Sequence, residues 1–121
     1  MTATGLSTTP DQYRQRLDEQ SDERIDSWAG ELMRDISIRR GVRRVLADFR
    51  RAAGVDDRAV ERIYAAGGGP PASVGKSAEG ELMVPAISLR YLVTGTRALL
   101  PDARERLTRY LVDNFHEIVY I

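Results

Sequence analysis

Residues 81–100, ELMVPAISLRYLVTGTRALL, are the most apolar run of the chain, and they constrain its fold more than any other stretch. Leu82, Met83, Val84, Ala86, Ile87, Leu89, Leu92 and Val93 cover most of a helical wheel, which describes a helix packed on several sides. Pro85 suits a first helical turn, where an amide has no intrahelical acceptor to lose, and it predicts a helix start near Val84. Such a helix is a core, and the other elements have to be arranged around it.

Those other elements also carry a helical period. Thr9-Pro10-Asp11-Gln12 has the form of a capping box and opens a short helix through about Glu19, with Tyr13 and Leu17 as its apolar pair. Ile25, Trp28, Ala29, Leu32, Met33 and Ile36 follow the i, i+3, i+4, i+7 series, and Ile38, Val42, Val45, Leu46, Phe49 and Ala53 continue it. This predicts either one helix over 22–53 or two that meet near Ser37, with Ser37 capping the second. Gly54 is a stop, and Asp56 or Asp57 caps a helix carrying Val60, Ile63 and Tyr64. Gly67-Gly68-Gly69-Pro70-Pro71 ends that helix and makes residues 67–80 a flexible surface loop. Pro101 opens a last helix whose stripe is Leu107, Tyr110, Leu111, Phe115 and Ile118, leaving Val119, Tyr120 and Ile121 to dock on the core or in an interface. No run alternates with period two for more than a few residues, so no sheet is expected. The expected architecture is all-α: a compact bundle of about five helices over 10–121, preceded by a disordered tail over 1–9.

A chain of 121 residues is long enough for one domain with a modest core, and the absence of cysteine excludes disulfides and thiolate catalysis and fits a reducing, cytoplasmic setting. No basic segment with an apolar run opens the chain, and Pro85, Arg90 and Arg97 interrupt the apolar stretch, so neither secretion nor membrane insertion is expected. Charge is zero overall but unevenly placed. Residues 11–35 carry eight acids against four arginines, whereas residues 36–54 carry Arg39, Arg40, Arg43, Arg44, Arg50 and Arg51 against Asp48 alone, which makes the second stretch the basic one.

The motifs for catalysis are thin, and an enzyme is not expected. Gly69-Pro-Pro-Ala-Ser-Val-Gly75-Lys76-Ser77 approaches the phosphate-binding G-x-x-x-x-G-K-[ST], but five residues separate the glycines and two prolines remove amides that would wrap a phosphate. His116, the single histidine, has Glu117 and Asp113 nearby but no nucleophile or metal-ligating partner, and reads as a surface residue near a helix end. No cofactor and no metal site are implied. On a continuous helix at about 100° per residue, Arg39, Arg43 and Arg50 form one row and Arg40, Arg44 and Arg51 another, flanking the side opposite the apolar stripe. Two rows of guanidinium groups on a rigid helix suit a phosphate backbone, gripped without base readout. A solvated face, or pairing with the acidic helix of residues 22–35, is the competing expectation.

Three stretches together resemble the small all-helical subunit of type III CRISPR effector complexes. The first is Ser37-Ile38-Arg39-Arg40-Gly41-Val42-Arg43-Arg44-Val45-Leu46, where Arg43 matches the family's arginine and Gly41 replaces its glutamine. The second is Leu82-Met83-Val84-Pro85-Ala86-Ile87, which keeps the proline and has Ala86 in place of a lysine. The third is the end of the chain, Arg109-Tyr110-Leu111-Val112-Asp113-Asn114-Phe115-His116-Glu117-Ile118-Val119-Tyr120. The resemblance covers about half the chain, and the segment between the second and third stretches is shorter than in the family. It implies a non-catalytic subunit of a ribonucleoprotein that stacks with other protein subunits in antiviral defence, its arginines facing a guide–target RNA duplex. An adaptor subunit that docks on proteins, with no nucleic-acid role, is the alternative.

Overall fold

The structure, a computed structural model, describes residues 8–118. Most of the tail expected over 1–9, and the docking expected of Val119, Tyr120 and Ile121, fall outside these residues. Six α-helices and one small two-stranded ladder lie among the described residues, so the all-α bundle is the observed architecture.

Helix α1 (Pro10–Asp18) opens with the expected capping box: the Gln12 amide donates to Thr9 Oγ1 at 3.1 Å and the Thr9 amide to Gln12 Oε1 at 2.9 Å. Helix α2 (Asp22–Arg40), capped by Ser21, buries Ile25, Ala29, Leu32, Met33 and Ile36. It ends at Gly41, whose φ of 93° is a left-handed value that favours glycine, and α3 (Val42–Ala53) begins at once. The joint is therefore Gly41 and not Ser37. The Ser37 hydroxyl donates to the Arg34 carbonyl at 2.7 Å, back along its own helix, so it caps nothing. Gly54 stops α3 in the left-handed conformation, and Asp56 caps α4 (Asp57–Ala66) by accepting from the Ala59 amide.

The apolar run is core but not one helix. Leu82–Met83 (β2) pairs antiparallel with Gly75–Lys76 (β1), a ladder that corrects the expectation of no sheet and gives the Gly/Pro segment a defined path. Pro85 is extended, with ψ of 142°, and a proline holds the residue before it out of the helical region, so Val84 cannot open a helix. A 3-10 turn (Ala86–Ser88) intervenes before α5 (Arg90–Leu99). Leu82, Val84, Leu89, Leu92 and Val93 are buried as expected, while Ile87 points outward.

Helix α5 lies on α4 backbone to backbone. A Cβ added at Gly95 would overlap the Ile63 carbonyl oxygen, and one at Gly67 would overlap the Tyr91 carbonyl oxygen. Gly69 faces the Tyr64 ring in the same way, and that ring meets Tyr91 edge-on at 5.5 Å between centroids. Helix α6 (Ala103–Asp113) crosses the bundle and uses arginines to close two other helices. Arg104 donates to the carbonyls of Leu17 at 3.0 Å and Gln20 at 2.7 Å, just where α1 ends. Arg109 donates to the Ala52 carbonyl at 3.2 Å and Arg106 to that of Ala53, at the end of α3. Cations at helix C-termini satisfy carbonyls left without intrahelical donors and complement the helix dipole. No helix among the described residues is long and apolar enough to cross a membrane.

Two substitutions test this packing. Gly95→Ala should lower the unfolding free energy by several kcal/mol, because its methyl meets backbone that cannot rotate away, outweighing the helix-propensity gain of about 1 kcal/mol. Leu89→Asp should cost a large part of an ordinary domain's 5–15 kcal/mol and exceed the loss from any single arginine in 39–51. Urea denaturation followed by circular dichroism measures both; a Leu89→Asp protein with the parent's midpoint would refute the core assignment.

Candidate nucleic-acid interface

The break at Gly41 regroups the basic segment. Arg39 and Arg40 close α2 while the other four belong to α3, so the two rows drawn on a single continuous helix are not the observed arrangement. Ile38 shows the same effect: it is 75% exposed and lies outside the apolar stripe on which it would centre if the helix ran on. The arginines also do not pair with the carboxylates of α2. Asp22 and Asp26 bind Arg97 and Arg104 instead, with Arg97 Nη2 2.6 Å from Asp26 Oδ1 and Arg104 Nη1 2.7 Å from Asp22 Oδ1.

Each of the six arginines meets a carboxylate elsewhere. Asp48, on the buried side of α3 between Leu46 and Phe49 in the folded core, accepts from Arg44 Nε at 2.9 Å and from Arg51 Nη2 at 2.6 Å. Glu117, in a 3-10 turn (Phe115–Glu117) after α6, lies 3.4 Å from Arg39 Nη1 and 3.6 Å from Arg40 Nε, and its backbone carbonyl accepts from Arg39 Nη2 at 2.9 Å. Asp48 and Glu117 are 4% and 3% exposed, while every arginine on them keeps more than a third of its side chain in solvent. The other two arginines are matched one to one: Arg43 donates to Glu81 at 2.6 Å, and Arg50 to Asp57.

These stoichiometries decide the local charge. Arg43–Glu81 and Arg50–Asp57 are neutral pairs between half-exposed groups, whereas each buried carboxylate is shared by two guanidinium groups; this leaves one positive charge outward at Glu117, and at Asp48 a surplus that the nearby Asp113 offsets. The exposed Asp113 stands at the rim of the cleft that Arg44, Asp48, Arg51, Asn114 and His116 line. His116 is mostly exposed, with Nε2 3.5 Å from Glu117 Oε2. Tyr110 is fully buried close by; burial pushes its phenol well above the ordinary range, Asp48 adds to that shift and Arg44 offsets part of it, so the ring stays neutral.

Sequence reasoning singled out the arginines and missed the two carboxylates that organise them. Asp48 had a signal, as the single acid in the basic segment, four residues after Arg44 and three before Arg51, the spacings at which helical side chains meet. Glu117 had none, since Arg39 lies 78 residues away in sequence. The Gly69 to Ser77 motif is likewise placed: Gly75–Lys76 is extended, no helix begins after it, and Lys76 Nζ lies 3.4 Å from Glu61. No family model, curated protein or solved structure matches the chain.

Removing a buried charge and removing its partners should have unequal costs. Asp48→Ala frees two arginines that water can solvate, so about 1 kcal/mol should be lost. Arg44→Ala/Arg51→Ala strands a buried carboxylate and should cost about 3–5 kcal/mol, with either single change well below that. Equal losses in urea melts would show that Asp48 is solvated rather than buried.

Proposed function

We propose that this chain is a non-catalytic RNA-binding subunit of a ribonucleoprotein complex, gripping phosphates with Arg39, Arg40, Arg44 and Arg51. The observation that carries this reading is the two-to-one sharing of Glu117 and Asp48. A buried carboxylate holds each guanidinium in one orientation, removing part of the ordering cost of binding, and the second guanidinium leaves the Glu117 site cationic, while Asp113 at the rim offsets the surplus of the Asp48 site. Phosphate oxygens accept from such forks regardless of sequence. Arg43 and Arg50 contribute less, because Glu81 and Asp57 already neutralise them. The resemblance to the small subunit of type III CRISPR effectors supplies the setting: a guide–target duplex lying against this face, with other protein subunits on either side. The protein-docking adaptor remains the second reading, favoured by Ile38 and Ile87, which are 75% and 89% exposed on another face.

Arg40→Ala and Arg51→Ala separate binding from folding, since Arg39 still holds Glu117 and Arg44 still holds Asp48. Each should weaken binding of duplex RNA by a similar factor for all sequences and lower the salt slope of log K by about one unit, with the melting temperature little changed. Fluorescence anisotropy at several salt concentrations measures this, in the assembled complex where the isolated chain binds too weakly. Folded variants with the parent's affinity and slope would discard RNA binding in favour of the adaptor.

A further inference from the structure

A groove of about 770 Å³ runs between α2 and the segment from Ala86 to Thr94. Arg97, late in α5, binds Asp22 and Asp26 at the start of α2, while the 3-10 turn before α5 also lies against α2; the two helices are therefore antiparallel. Leu89 and Val93 form the apolar floor on the α5 side, and Ile38 and Ile87 stand out of the surface at one end. On α2 the groove face reads Glu23, Ser27, Gly30, Arg34, Ile38, with Glu31 beside it.

Gly30 is an independent sign that this face is used. It sits inside a long helix with a φ that any residue adopts, and a Cβ added there meets nothing within 4 Å. Glycine weakens a helix interior relative to alanine, so packing within this chain gives no reason for it. Its effect is to keep the groove low where a neighbouring side chain can enter.

The geometry points to a second copy of this chain as the occupant, joined about a two-fold axis that passes over the groove face of α2, perpendicular to the helix and level with the midpoint between Glu31 and Arg34. A two-fold contact must be self-complementary, so that if residue i meets j, then j meets i. With the axis there, Glu31 of each copy faces Arg34 of the other, and the projecting Ile38 of each seats over Ser27 and Gly30 of the other. Glu31 makes no ion pair among the described residues, and Arg34 has only its neighbour Asp35 at 3.9 Å, so both charges are available. The acidic and basic halves of one α2 face, with a knob at one end and a glycine floor at the other, thus match their own reverse.

The test is the mass of the full chain in sedimentation velocity, in a concentration series reaching roughly 1 mM. The parent should approach twice its 13.5 kDa chain mass. Ile87→Asp and Gly30→Leu, both at open positions, should stay monomeric with the melting temperature kept or raised. Glu31→Arg and Arg34→Glu should each be monomeric alone and should form a mixed dimer when combined, because the mixture pairs opposite charges at both contacts. A parent that is monomeric throughout, or a dimer that Gly30→Leu and the two charge reversals leave intact, would overturn the proposal. RNA affinity plays no part in this readout, so its outcome is independent of the function proposed above.

Discussion

The backbone contact between α4 and α5 is the constraint on which the remaining packing depends. Side chains normally hold helix axes 8–10 Å apart, and glycine at the crossing is what lets backbones approach more closely. Gly95 against the Ile63 carbonyl and Gly67 against the Tyr91 carbonyl leave no room for a second register. With α5 fixed on one side, Leu92 and Val93 are delivered to the shared core, and Arg97 reaches Asp26 on α2 with two bonds at 2.6 and 3.3 Å. That pair is strong enough to hold the Arg97 proton more firmly than usual, and its orientation fixes which face of α2 turns toward α5. The groove is what remains between two helices held at one end by charge and at the other by the turn after Pro85.

Arginine supports this fold in ways a hydrophobic reading of the sequence does not show. Arg104 joins the end of α1 to Asp22 on α2, and Arg106 and Arg109 close the end of α3, so α6 acts as a strut whose apolar stripe is core and whose basic side chains bond three other helices. A guanidinium suits this task because its donors point in several fixed directions at once. The predominance of arginine over lysine is thereby given a structural use, and it sharpens the distinction between arginines consumed in joining helices and those left with charge to spare.

What the sequence discloses depends on the range of the interaction. The capping box at Thr9, the Gly54 stop and the Asp56 cap are decided within four residues, and each is observed where local chemistry places it. Buried positions such as Leu32, Phe49, Ile63 and Leu111 follow from period alone. The joint at Gly41 was readable in principle, since a glycine within a run of helical period offers a break that Ser37 does not, but an unbroken pattern across 36–46 masked it. Local chemistry was outweighed at Pro85, where the wheel of 82–93 suggested one helix and the proline excluded it. The candidate site was half legible: the six arginines are read as residue types and Asp48 groups Arg44 and Arg51 at ordinary helical spacing, but Glu117 groups Arg39 and Arg40 only because the 3-10 turn after α6 returns to the end of α2, a contact that no local pattern encodes.

The same break that spoils the continuous rows gives the molecule two separate faces. A helix running through 22–53 would carry Ile38 on in one apolar stripe and Arg39 and Arg40 in rows along the opposite side. Ending α2 at Gly41 leaves Ile38 beside the groove while Arg39 and Arg40 reach Glu117 at the other side of the same turn. Pairing of two chains through the groove therefore leaves both sets of arginines outside the interface, held at a fixed separation by rigid helices. Two weak cationic sites at fixed spacing bind a long polyanion far more tightly than either alone, because the second contact is made at high effective concentration. The surplus charge at Glu117 is a small attraction for a single chain; on the proposed function it gains a use only in an assembly that repeats it along a phosphate backbone.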